Sequence, residues 1–139
     1  DRAAYASVRD KVLAVLPSEV SLRLQEINDA QLKAGVCRNL REIPAEITRL
    51  LLEGDERDAW NLLLDEARQR FGSDVKVGQL IGASKSMISV ARAGVSRLTP
   101  TTKVELLNVL DYRLSDELLM SLLQIDGYTY VRESILQSR

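Results

Sequence analysis

Lys85, Ser86, Ser89 and Arg92 are the residues of this chain whose types and spacing could do chemistry. All are small or basic hydrogen-bond donors with no acid among them, and a short helix would carry them on its outward face. Such a face can enter a DNA major groove, where base edges present acceptors. From Val75 to Val104 the charged residues are Lys76, Lys85, Arg92, Arg97 and Lys103 with no Asp or Glu between them, so this window carries +5 and the remainder −6 against a total of −1. A locally basic surface on an otherwise acidic body is an electrostatic footprint for phosphate. Lys76, Arg92, Arg97 and Lys103 suit phosphate contacts, which position a protein without selecting sequence. Thr99, Thr101 and Thr102, in the loop ahead of Lys103, offer further phosphate ligands or ordinary caps for the helix that follows.

The elements that must hold these residues are two short amphipathic segments between Ser73 and Gly94, separated by Gly82-Ala83-Ser84. Val77 and Ile81 before the break and Ile88 and Ala91 after it fall where two packed helices need apolar side chains, a helix-turn-helix pattern. Ser73 can cap the first helix by accepting an orphan backbone N–H. Gly78 sits mid-helix at a cost of about 1 kcal/mol relative to alanine, which a close approach of the second helix would offset. Gly82 suits the left-handed conformation that ends a helix, Ser84 is placed as the second N-cap, and Gly94 as the second stop.

The run from Val77 to Gly94, VGQLIGASKSMISVARAG, resembles the helix-turn-helix of the Cro and lambda-repressor family: a small residue before the turn, Leu or Ile then Gly at it, a Ser cap, Ile-Ser in the second helix and a closing Gly. The following SRLTPTTKVELLNVLDYRLSDELL is similar to the family's next loop and leucine-rich helix, so the resemblance covers about residues 58–119. It implies an all-α, lambda-repressor-like bundle, here with an additional N-terminal helical unit. It assigns base-edge contacts to Ser84, Lys85, Ser86 and Ser89, with Ser73 joining the phosphate-facing set. Lysine favours guanine acceptors and serine serves any base. Family members usually act as dimers on half-sites about one helical turn apart. The chain departs from the pattern twice. Arg92 stands two residues before the closing Gly, where the family commonly has glutamate, and Asp74 stands where it often has a phosphate-touching glutamine.

Composition narrows the alternatives. The 139 residues suit one domain or two very small ones, and 45% hydrophobic with 28% charged is an ordinary globular balance. One Trp, one Phe and four Tyr beside abundant Leu, Ala, Arg and Glu favour helices. The absence of histidine excludes Ser-His and Cys-His catalysis and histidine-bound zinc. Cys37 alone cannot form an internal disulfide. No apolar run reaches the roughly 18 residues of a membrane span, and no signal-peptide core is present, so a cytoplasmic location is the expectation. The chain opens at Asp1 without methionine and reads as a trimmed fragment.

In order, Asp1–Leu16 reads as a helix with Ala4, Val8, Val12 and Leu16 on one stripe, closed by Pro17. A second runs from Ser18 to Gly35 with Val20, Leu24, Ile27 and Ala34 inward. A third covers Leu40–Glu53, carrying Leu40, Ile43, Ile47, Leu50 and Leu51, with Pro44 blurring its start. GDERD at Gly54–Asp58 is the expected junction between an N-terminal unit over 1–54 and the reading domain over 55–139. The junction is short enough for the two parts to share a core. A helix over about Asp55–Phe71 then places Trp60, Leu63, Leu64, Ala67 and Phe71 inward, and Leu106, Leu107 and Leu110 face the core after the threonine-rich loop. Two apolar helical stretches, Leu114–Ile125 and Tyr128–Leu136, close the chain and could form a dimer interface or cover the N-terminal unit.

Other chemistries fare worse. GASKS at Gly82–Ser86 lacks the glycine directly before Lys85 that a phosphate-binding loop requires. Paired acids such as Asp55, Glu56 and Asp58, or Asp65 and Glu66, read as solvated faces, and no enzyme is expected. The sequence-level reading is therefore a double-stranded DNA-binding regulator, a repressor of bacterial, phage or plasmid origin, dimeric and without cofactor or metal. Its rivals are a helical adaptor that binds protein, which the apolar N-terminal unit and C-terminal helices permit, or a DNA-binding subunit of a partition or transposition complex. Arg38, Arg41 and Arg49 give the N-terminal unit a lesser claim to phosphate, interrupted by Glu42, Glu46 and Glu53.

Overall fold

In a computed structural model of the chain, residues 13, 14, 16–34, 40–53 and 55–114 are described, and six helices run through them without strands. These are α1 (Ser18–Ala34), α2 (Ala45–Glu53), α3 (Glu56–Phe71), α4 (Asp74–Ile81), α5 (Lys85–Arg92) and α6 (Pro100–Val109). Most of the helix expected over Asp1–Leu16, together with Cys37, Arg38, Gly54 and the tail helices expected after Leu114, lies outside the described residues. Among the described residues no helix is long and apolar enough to cross a membrane.

The core is one cluster. Val20, Leu24 and Ile27 of α1, Ile47 and Leu51 of α2, Trp60, Leu63 and Leu64 of α3, and Leu106 and Leu107 of α6 all belong to it. Residues on both sides of the expected junction at Gly54–Asp58 thus bury their apolar faces together. Helix α2 lies against α3, α1 against α6, and α4 touches both α3 and α6. On α1 the inward stripe ends in the buried Gln31, whose side-chain amide donates to the Tyr112 carbonyl at 3.4 Å. That bond offsets the cost of burying a polar amide.

Two helix starts differ from the sequence expectation. Helix α2 begins at Ala45 rather than Leu40, because proline disfavours helical geometry in the residue before it and suits the first turn itself. The Pro44 carbonyl accepts from the Ile47 and Thr48 N–H groups at 3.0 and 3.2 Å. The freed residues instead run beside the end of the described chain, where Arg41 and Tyr112 form an isolated parallel bridge. Arg41 N–H donates to Asp111 O at 2.8 Å and Arg113 N–H to Arg41 O at 2.9 Å. Helix α6 begins at Pro100, inside the expected loop, with Thr99 as N-cap accepting from the Thr102 N–H at 3.2 Å. Proline at the first helical position has its φ already set and loses no needed donor.

Candidate nucleic-acid interface

Helices α4 and α5 are joined by Gly82, Ala83 and Ser84, and each joint has a local cause. Ser73 accepts the Lys76 N–H at 3.2 Å and Ser84 accepts the Met87 N–H at 3.1 Å, so both helices begin on serine caps. Gly82 ends α4 with φ 75°, a left-handed conformation that glycine adopts without a Cβ penalty. The Ala83 N–H then returns to Gly78 O at 2.9 Å. A Cβ on Gly78 would lie 2.2 Å from the Ala83 carbonyl oxygen and 3.5 Å from Ile88 Cδ1. The close approach that this glycine permits is therefore first to the turn's own backbone and only second to the helix beyond it.

Ile88 is fully buried and faces α5 inward. Lys85, Ser86 and Ser89 are exposed, and none of their side chains holds a partner among the described residues. Ser84 is exposed but its oxygen serves the cap. The outward face differs from the expected one in two ways. Met87 and Val90, each 38% exposed, belong to it, and Arg92 does not. Helical spacing carries the signal for both, since Arg92 follows buried Ile88 by one turn while Val90 lies two residues from it, across the helix.

Arg92 is turned sideways into two acids. Its Nη1 donates to Asp65 Oδ1 at 2.5 Å and its Nη2 to Asp74 Oδ1 at 3.2 Å. Burial works against its charge, and the hydrogen bonds it donates to Asp65 and Asp74 outweigh that effect and hold the guanidinium above its ordinary range. The two positions at which the chain departs from the family pattern, Asp74 and Arg92, are thus partners. The Arg92 carbonyl also accepts from Arg57 Nε at 3.0 Å and Asn61 Nδ2 at 3.3 Å, tying the end of α5 to α3. Arg57 stands 3.0 Å from where a Gly94 Cβ would be, so α3 brings a cation to the edge of this surface that lies outside the basic window.

The remaining phosphate candidates divide. Lys76 is exposed and forms no ion pair among the described residues. Ser73 is half-buried and occupied as a cap, Thr101 is half-buried, and Thr99 is exposed with its oxygen engaged by Thr102. Arg97 is exposed, with Nε 3.2 Å from Glu56 Oε2. Thr102 and Lys103 are corrections: both are core residues, at 3% and 0% exposure. Because α6 starts at Pro100, they fall on its inner face. Lys103 Nζ pairs with Glu56 Oε1 at 2.6 Å and stands 5.5 Å from the Trp60 ring centroid, where the π-face attracts a cation. Of the five cations of the window, Arg92, Arg97 and Lys103 therefore meet carboxylates that the chain supplies from outside it. Lys76 and Lys85 remain open. In the N-terminal half, Arg41 is held by Glu66 at 2.9 Å and Arg49 by Glu53 at 3.0 Å.

Compared with family models, with curated proteins and with solved structures, the chain finds no match.

Proposed function

We propose that this chain is a sequence-specific double-stranded DNA-binding regulator, a repressor of bacterial, phage or plasmid origin that acts in the cytoplasm and reads the major groove with α5. In this reading α4, the glycine turn and α5 form a helix-turn-helix within a lambda-repressor-like bundle of the Cro type, and two copies bind half-sites about one helical turn apart. The observation that carries it is the open N-terminal half of α5. Lys85, Ser86 and Ser89 are exposed and their side chains hold no partner among the described residues, and Lys76 on α4 is exposed with no ion pair among them. Lys85, Ser86 and Ser89 take the base edges, Lys76 and Arg57 take phosphates, and Arg92 braces the helix rather than touching DNA. Fluorescence titration of labelled duplex should show binding that weakens with salt, and Lys76→Ala should reduce the slope of log affinity against log salt by about 0.9. Absence of any DNA affinity at about 50 mM salt, where phosphate contacts are strong, would sink the proposal.

A protein-binding adaptor is favoured by one specific observation. Leu80, Met87 and Val95 are 46%, 38% and 79% exposed around the same two helices, while three nearby cations are already paired. Exposed apolar residues in one region mark an interaction surface. The same titration separates the readings, because an adaptor would leave duplex DNA unbound.

A further inference from the structure

We infer that Val90 is a specificity residue that selects thymine, so that the preferred duplex carries a thymine C5-methyl group opposite the middle of α5. The inference rests on the DNA reading above and deepens it. With Ile88 fully buried, the direction directly opposite it on a helix of 3.6 residues per turn falls between Ser86 and Val90, with Met87 and Ser89 to either side. Lys85 lies on the flank. The side chains that would reach deepest into a groove are therefore one hydroxyl and one isopropyl group, not the cations that the sequence brings forward.

Val90 is 38% exposed and has no polar side-chain atom. Set against a base-edge donor or acceptor, it would strip that group of water and return no hydrogen bond. The major groove offers one apolar feature, the thymine C5-methyl. Ser86, one turn earlier, accepts any base and so leaves the discrimination to its neighbour. Val95, whose N–H donates to the Val90 carbonyl at 3.0 Å, is a further exposed apolar residue just past the end of α5. Charge complementarity selects DNA over an apolar protein partner as the occupant. Lys76 in the first turn of α4 and Lys85 in the first turn of α5 are exposed and hold no ion pair among the described residues, which leaves one cation for a phosphate and one for a base edge.

The test begins with selection from a pool of random duplexes using the full chain. The enriched duplex is then resynthesised with deoxyuridine in place of each thymine in turn, which removes one methyl group and nothing else. One such replacement is expected to weaken binding of the unaltered protein about fourfold, the worth of one buried methyl group. The same replacement should leave Val90→Ser unmoved, with a circular-dichroism melt of that variant confirming its fold. If the enriched duplex binds equally well with every thymine replaced, or if Val90→Ser loses the same factor, the inference is overturned while DNA binding stands. If no duplex is enriched, the DNA reading fails and takes the inference with it.

Discussion

Lys85 and Lys103 belong to one acid-free stretch of sequence, and the fold treats them oppositely. Lys85 opens α5, exposed and with no ion pair among the described residues, whereas Lys103 lies at 0% exposure against Glu56 and the Trp60 ring. What separates them is helix phase. Ser84 caps α5 so that Lys85 falls on its flank, and Thr99 with Pro100 starts α6 so that Lys103 falls inward. Charge along the chain is thus a poor guide to charge on a surface, because acids distant in sequence can reach the same place.

The sharpest way to break this contrast is through Glu56, the carboxylate shared by Lys103 and Arg97. Glu56→Ala should cost up to about 3 to 5 kcal/mol in denaturant unfolding, since it takes a carboxylate at 2.6 Å away from a buried ammonium. Combining it with Lys103→Met should recover most of that loss, because a buried ion pair can often be replaced by apolar volume. Lys103→Met that weakens DNA binding at unchanged stability would show that Lys103 belongs with Lys85 after all. Next in size is Gly78→Ala. Its Cβ meets a backbone oxygen that cannot easily yield, so about 1 to 3 kcal/mol should be lost on thermal melting.

A further inward-facing group makes the contrast readable by pH. Burial and the hydrogen bond to Glu66 push the Tyr112 hydroxyl up to about 12. The folded state therefore holds this proton more tightly than the unfolded chain does. Its contribution is complete below the ordinary tyrosine range near 10, and it is lost as pH climbs from there toward 12. Urea unfolding followed across that range should show the decline in the unaltered protein and a flatter profile in Tyr112→Phe. The smallest effect on stability belongs to the outward side. Lys85→Ala with Ser86→Ala should stay within about 0.5 kcal/mol of the parent, yet weaken its preference among duplex sequences in a competition assay.

Local features were legible in the sequence. Ser73 and Ser84 as caps, Gly82 as a left-handed stop and the buried stripe of α3 through Trp60, Leu63, Leu64 and Ala67 all follow from neighbours within one or two turns. What escaped were relations across distance. Nothing near Arg92 announces Asp65, and nothing near Lys103 announces Glu56, so the basic window overstated the positive surface. Arg57 reaches the end of α5 only because α3 is packed there. The start of α6 is a different kind of miss. Thr99-Pro100 is a cap followed by a first-turn proline, a local signal that starts α6 early enough to turn Thr102 and Lys103 inward.

The seam at Arg41 and Tyr112 bears on the order in which the chain assembles. Arg41 stacks 4.5 Å above the Tyr112 ring, its side chain reaches Glu66 and the Leu110 carbonyl, and its backbone is bonded to Asp111 and Arg113. Closing it joins the segment ahead of α2 to the segment after α6, and so long a loop is entropically dear compared with the contacts among α3, α4 and α5. On loop length alone the seam is expected to close after the middle helices have docked, so weakening it should hasten unfolding more than it slows refolding in stopped-flow measurements.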